Sequence, residues 1–89
     1  MNPRTLAPYV LRTIARHQLN GHCITLQTLV EDINVRRGDL RKTVSALHRE
    51  GLVDALTMRL TLRGFTIGVS LLRVDLPPLR EEVVASVAA

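Results

Sequence analysis

The sequence predicts a single α+β domain, in which three amphipathic helices precede a β-hairpin and a short carboxyl-terminal helix. Before Gly51, three separate segments have apolar residues spaced with the helical period of 3.6. After Gly51 the period changes to 2, which is typical of half-buried strands. A length of 89 residues fits one domain. We assign residues 1–75 to the main domain and residues 76–89 to a tail.

The first helix is expected from Thr5 to about His17. Its apolar face consists of Ala7, Val10, Leu11 and Ile14. Thr5 is the expected amino-terminal cap, and Pro8 is tolerated because it falls in the first turn. Asn20-Gly21 then ends the helix and begins a turn.

A second helix is expected from Thr25 to about Ile33, with Thr25 as its cap. Its apolar face consists of Leu26, Leu29, Val30 and Ile33. Asn34 follows in a connection of about three residues, where asparagine favours a left-handed turn. The segment 22–24 before this helix predicts a small strand, with Cys23 as a small buried residue.

The third helix is expected from about Arg37 to Glu50, followed by Gly51. Its apolar stripe consists of Leu40, Val44 and Leu47. The opposite face carries Gly38, Lys42, Ser45 and Arg49, flanked by Arg41. Arg36 stands where a serine or threonine usually caps such a helix, so the cap is expected to be weak. The pattern therefore predicts a tight pair of helices whose second member is basic on its outer face.

Two interpretations fit the alternation after Gly51. In the one we favour, strands 56–62 and 65–71 fold about Arg63-Gly64 into a hairpin, with Leu62 opposite Phe65 and all apolar residues on one face. In the alternative, Thr61 caps a helix and a much shorter hairpin precedes it. The apolar residues of that helix are Leu62, Phe65, Val69 and Leu72. We favour the hairpin because threonine, isoleucine, valine and glycine form helices poorly, and because the shorter hairpin lacks a turn residue.

The tail begins with Pro77-Pro78 and continues as a predicted short helix from Leu79 to Ala88. So short a helix is stable only when it docks on the rest of the chain or on a second copy. A small core also favours self-association, so we expect a homodimer.

Composition narrows the function classes. Twelve lysines and arginines against eight acids give a net charge of +4, and eleven of the twelve are arginines, which suit phosphate and guanine. Aromatic residues make up only 2%, which argues against modules that stack single-stranded bases. A single cysteine excludes a disulfide framework within the chain and a multi-cysteine zinc site.

Several other classes find no support in the sequence. No apolar stretch approaches the length of a membrane span, and no secretory segment is evident, so we expect a cytoplasmic protein without a membrane partner. The spacing of His17, His22 and Cys23 matches no familiar metal site. No phosphate loop or catalytic constellation is present, so we expect neither a cofactor nor an enzyme.

Three segments resemble known sequences. The turn Ile33-Asn34-Val35-Arg36 and the ending 47–53, Leu-His-Arg-Glu-Gly-Leu-Val, are similar to the core of bacterial winged helix-turn-helix transcriptional regulators. Residues 61–64, Thr-Leu-Arg-Gly, also resemble the motif that closes the wing in some regulators, where a helix follows. The turn carries asparagine where these regulators usually have glycine. The match covers about a third of the chain well.

The resemblance implies a transcriptional regulator that binds double-stranded DNA sequence-specifically, with helix 37–50 in the major groove. The candidates for contact with bases are Arg37, Arg41, Lys42 and Ser45, and Gly38 would let the backbone approach the strand closely. The candidates for contact with phosphates are Arg36, Arg49 and, from the wing, Arg59. Two alternatives stay open: a winged-helix module that binds protein, and an accessory protein of replication or partition that binds DNA.

Overall fold

The computed structural model describes residues 2–77. Over these residues the chain has an α+β fold of four helices and one two-stranded antiparallel hairpin. In chain order the elements are α1 (Pro3–Leu19), α2 (Leu26–Ile33), α3 (Arg37–Arg49), β1 (Val53–Asp54), β2 (Arg59–Leu60) and α4 (Leu62–Leu72). The predicted helix over 79–88 lies outside the described residues. None of the helices within 2–77 has the length and hydropathy needed to cross a lipid bilayer.

Helix α1 begins earlier than predicted. Asn2 is its cap, and the Asn2 side chain accepts the amide of Arg4 at 2.8 Å. Pro3 occupies the first helical position, where proline has no N–H to lose. The expected cap at Thr5 is therefore wrong, and Pro8 lies in the second turn of the helix and not in the first.

Helix α2 and its connection to α3 confirm three predictions. Thr25 caps α2 in a capping box with Thr28. Asn34 ends α2 in the left-handed conformation, with φ of 63°. Arg36 occupies the cap position of α3 and makes no side-chain cap hydrogen bond. The two helices are thus joined by a turn of three residues, Asn34 to Arg36, whose geometry is set by the asparagine.

The favoured hairpin over 56–71 is wrong, and the alternative is correct. The observed strands pair Val53 with Leu60 and Asp54 with Arg59, and the chain is helical from Leu62 onward. Two leucines assigned to the buried face of the predicted hairpin are 93% (Leu56) and 84% (Leu62) exposed. The pairing of Leu62 with Phe65 consequently does not occur.

Close packing explains why 62–72 is a helix despite its composition. Thr61 caps α4 and its hydroxyl accepts the amide of Gly64 at 3.2 Å. Gly64 and Gly68 lie on one face of α4 and are both buried. A Cβ at Gly68 would lie 2.7 Å from the Leu11 carbonyl oxygen on α1. The glycines thus allow α4 to pack directly on neighbouring backbone, and this burial offsets their low helix propensity.

The short hairpin obtains its turn from residues that are not usual turn formers. Met58 adopts the left-handed conformation, with φ of 56°. The Asp54 carboxylate accepts the amide of Leu56 at 3.0 Å, which stabilises the start of the turn.

The connection from α1 to α2 also differs from expectation, since residues 22–24 form no strand and Cys23 is exposed.

One apolar core joins all the helices to the hairpin. Its buried residues are Leu6, Val10, Leu11, Ile14, Ala15, Ile24, Leu29, Leu40, Val44, Leu47, Leu52, Val53 and Leu60. The partly buried Phe65 and Val69 pack against it from α4. After α4 the chain returns to α1, where the Tyr9 hydroxyl donates a hydrogen bond to the Pro77 carbonyl. The core is almost entirely aliphatic, as the low aromatic content predicts.

Side chains from two helices hold the hairpin in place. The Val53–Leu60 pair leaves the Val53 carbonyl and the Leu60 amide pointing away from the partner strand. Gln18 of α1 accepts the Leu60 amide at 2.7 Å, and the His48 ring of α3 lies 3.1 Å from the Val53 carbonyl oxygen. The hairpin is therefore tied to α1 on one edge and to α3 on the other.

We expect Gln18→Ala to loosen the hairpin. The buried Leu60 amide loses its acceptor, which costs about 1–3 kcal/mol of the free energy of unfolding. Thermal unfolding and hydrogen exchange at Leu60 measure the effect. Gln18→Glu keeps an oxygen acceptor, now on a carboxylate, and serves as the control. Unchanged exchange at Leu60 in Gln18→Ala would contradict this role.

Candidate nucleic-acid interface

Helix α3 separates an apolar face from a basic one. Leu40, Thr43, Val44 and Leu47 are buried on the inner side. The residues predicted to contact DNA from this helix and its cap are all exposed: Arg36, Arg37, Gly38, Arg41, Lys42, Ser45 and Arg49. We call this set the basic face. Five of its seven members are cations. Lys42 and Arg49 lie opposite the buried stripe and Arg41 flanks them, whereas Arg36 and Arg37 stand at the amino end of the helix.

The cations of the basic face form no ion pair within the described part of the chain. The one salt bridge formed wholly within residues 2–77 joins His17 to Asp32 on the α1–α2 side of the molecule. None of the five cations of the basic face therefore pairs with a carboxylate of that part of the chain. Unpaired exposed arginines attract polyanions more strongly than those already in ion pairs.

The position of two arginines does not serve the stability of α3. Arg36 and Arg37 stand at its amino end, where the helix dipole disfavours positive charge. Arg49 lies in the last turn, where the dipole favours a cation, so its position has a purely structural explanation. The amino end is also where backbone N–H groups and cations together bind phosphate or meet base edges.

Gly38 leaves open space on the basic face. A Cβ built on Gly38 would meet nothing within 4 Å, so neither packing nor backbone strain requires glycine there. Because Gly38 has no side chain, a partner can approach the helix backbone closely next to Arg37.

Arg37 is tied to α2. Its Nη2 donates a hydrogen bond to the Gln27 side-chain oxygen, and the Gln27 amide nitrogen donates to Glu31 at 3.2 Å. Sequence periodicity gave no reason to connect Gln27 or Glu31 to α3. The tight turn at Asn34 brings the two helices together so that these side chains meet.

Arg59 is separate from the other candidates. It lies on β2, is exposed, and stands opposite Asp54 in the strand register. It lines a cavity of about 70 Å³ together with His22 and Cys23 of the α1–α2 connection. The structure thus exposes the predicted residues along α3 and at its amino end, and it places Arg59 on the hairpin, beside the α1–α2 connection.

Two histidines have structural contacts that the sequence did not indicate. His17 contacts Asp32 at 2.7 Å and links the end of α1 to α2. The Nδ1 atom of His48 lies 3.1 Å from the Val53 carbonyl oxygen and 3.2 Å from the Ala55 amide nitrogen. It donates to the first when it carries a proton and accepts from the second when it does not. Helical spacing gave no reason to expect either contact, because both cross between elements.

Within residues 2–77 no three histidine, cysteine or acidic side chains are grouped as metal ligands would be. Comparison with known proteins adds no assignment: no protein-family model matches this chain, and neither a curated protein nor a solved structure is significantly similar to it.

Proposed function

We propose that this chain is a winged helix-turn-helix protein that binds double-stranded DNA sequence-specifically and regulates transcription, with α3 in the major groove. The observation that carries the proposal is the basic face of α3, whose arginines at the amino end oppose the helix dipole. Such placement weakens the helix slightly and favours an anionic ligand.

The arrangement of the elements supports the same function. α2 and α3 are joined by a three-residue turn, and the hairpin β1–β2 follows α3 directly. This order is that of a helix-turn-helix with a wing. Arg59 is exposed on the hairpin, where it is available to a phosphate of the bound DNA.

A homodimer is part of the proposal. A helix-turn-helix dimer binds two half-sites related by two-fold symmetry, about one helical turn of DNA apart. A small domain also gains stability by association. We therefore expect the preferred DNA site to be an inverted repeat.

Binding of a random duplex across a salt series tests the proposal. We expect the logarithm of affinity to fall linearly with the logarithm of salt concentration, with a slope of about −0.9 per phosphate contacted. Selection from a random duplex library is then expected to enrich one inverted repeat. Absence of binding at low salt would overturn the proposal and favour a protein-binding module. Binding without enrichment of any sequence would remove the claim of specific regulation.

A further inference from the structure

A chain of hydrogen bonds runs from α2 to the first residue of α3. Glu31 accepts from the Gln27 amide nitrogen at 3.2 Å, and the Gln27 oxygen accepts from Nη2 of Arg37. All three side chains are exposed, so these hydrogen bonds lie on the surface, at the edge of the basic face. Buried packing does not require any of these groups, which leaves their arrangement to be explained.

The two partners of Gln27 determine which way its side-chain amide points. A carboxylate only accepts hydrogen bonds, so Glu31 selects the NH₂ end of the Gln27 amide. The oxygen of that amide is then turned toward Arg37, whose guanidinium only donates. Glu31 thus acts on Arg37 through Gln27, and an amide flip would break both hydrogen bonds.

Holding Arg37 in this way prepares it to bind a base. A free arginine side chain loses conformational entropy when it is immobilised on a ligand, and a side chain already held loses less. The contact with Gln27 uses one of the five guanidinium N–H groups. The second hydrogen of Nη2 and those of Nη1 stay available as a fork for the O6 and N7 atoms of guanine.

The place of Arg37 in the fold indicates the ligand. Arg37 is the first residue of α3, and the amino-terminal residues of a helix in the major groove face the base edges. The empty space at Gly38 allows the DNA to come close at this point. We propose that Gln27 is a positioning residue that makes Arg37 specific for guanine. The preferred DNA site then contains a G·C pair opposite the amino end of α3, and its recognition depends on Gln27. This inference rests on the proposed function.

A double-mutant cycle on the selected site tests the inference. Dissociation constants are measured for the selected duplex and for duplexes with each G·C pair replaced by A·T. The proteins are wild type, Gln27→Ala, Arg37→Ala and the double variant. We expect wild type to lose about tenfold or more in affinity at one G·C pair. Arg37→Ala is expected to lose this discrimination, and Gln27→Ala to lose most of it. The double variant is expected to behave like Arg37→Ala.

Further readouts separate positioning from folding or charge. Gln27→Ala removes no charge and no buried group, so its melting temperature and salt slope are expected to match those of wild type. Gln27→Glu keeps an oxygen acceptor for Arg37, loses the donor to Glu31 and adds a negative charge. It is therefore expected to retain discrimination between base pairs while its overall affinity for DNA falls. If Gln27→Ala discriminates as well as wild type, the inference is overturned while the proposed function stands. If wild type binds no duplex DNA, both are overturned.

Discussion

Gly64→Ala is expected to destabilise the fold strongly. The new Cβ would lie 1.8 Å from the carbonyl oxygen of Leu52, a distance at which backbone must move. The connection from α3 to β1 or the start of α4 would have to shift, and both pack on the shared core. We expect a loss of more than about 3 kcal/mol in the free energy of unfolding, the upper end of overpacking effects. For a domain of this size the melting temperature should fall by more than about 10 °C.

Two other glycines calibrate this prediction. Gly68→Ala brings a Cβ to 2.7 Å from the Leu11 carbonyl oxygen and 2.9 Å from the Ala15 Cβ, so a smaller loss of about 1–3 kcal/mol is expected. Gly38→Ala meets no atom and gains helix propensity, so it should stabilise by about 0.5–1 kcal/mol. Thermal and urea unfolding of the three variants measures this order. Equal stability of Gly64→Ala and Gly38→Ala would contradict the close approach of α4 to the chain at Leu52.

The helical part of the fold could be predicted because its determinants are local. Caps and periodicity indicate α2 and α3 to within a residue or two, and Asn34 indicates the turn between them. The start of α1 also has a local determinant: Asn2 and Thr5 are both acceptable caps, and Pro3, which suits the first helical position, favours Asn2. The boundaries of these helices are therefore specified by local chemistry, although the prediction for α1 chose the wrong cap.

The region after β1 could not be predicted from local preferences, because its residues satisfy two periods at once. Phe65 and Val69 are apolar and four residues apart, which fits a helix, and they also fall on one face of a strand. The choice depends on Gly64 and Gly68, whose value lies in contacts with residues 52 and 11 that are distant in sequence. Glycine has a low helix propensity, but the close packing of α4 on residues 52 and 11 requires glycine at these two helical positions.

The candidate site also has one part that the sequence predicts and one part that it does not. The basic face follows from helical geometry and lies on the exposed side of α3, as predicted. Its connection to Gln27, and the ties that hold the hairpin through Gln18 and His48, join residues from different elements. Such contacts have no periodic trace in the sequence, and so they emerge only when the helices are placed together.

Removal of two central cations is expected to have the largest effect on DNA binding. Arg41 and Lys42 are exposed on α3. Neither pairs with a carboxylate of residues 2–77, so Arg41→Ala/Lys42→Ala should leave the melting temperature unchanged. Each lost phosphate contact should lower the magnitude of the salt slope by about 0.9, and each lost base contact should cost about 1–3 kcal/mol. We expect affinity for the selected duplex to fall about 100-fold or more, as measured by fluorescence anisotropy.

A charge-matched variant distinguishes a binding face from net charge. Arg16→Ala/Arg73→Ala removes the same two positive charges from exposed positions near the ends of α1 and α4. If α3 lies in the groove, the charges at Arg16 and Arg73 act at long range, and screening at physiological salt should hold their effect to a few-fold. Equal weakening by the two double variants would mean that the whole molecule attracts DNA without an oriented helix. Full affinity in Arg41→Ala/Lys42→Ala would remove α3 from the interface, because a helix in the major groove cannot lose both central cations without loss of binding.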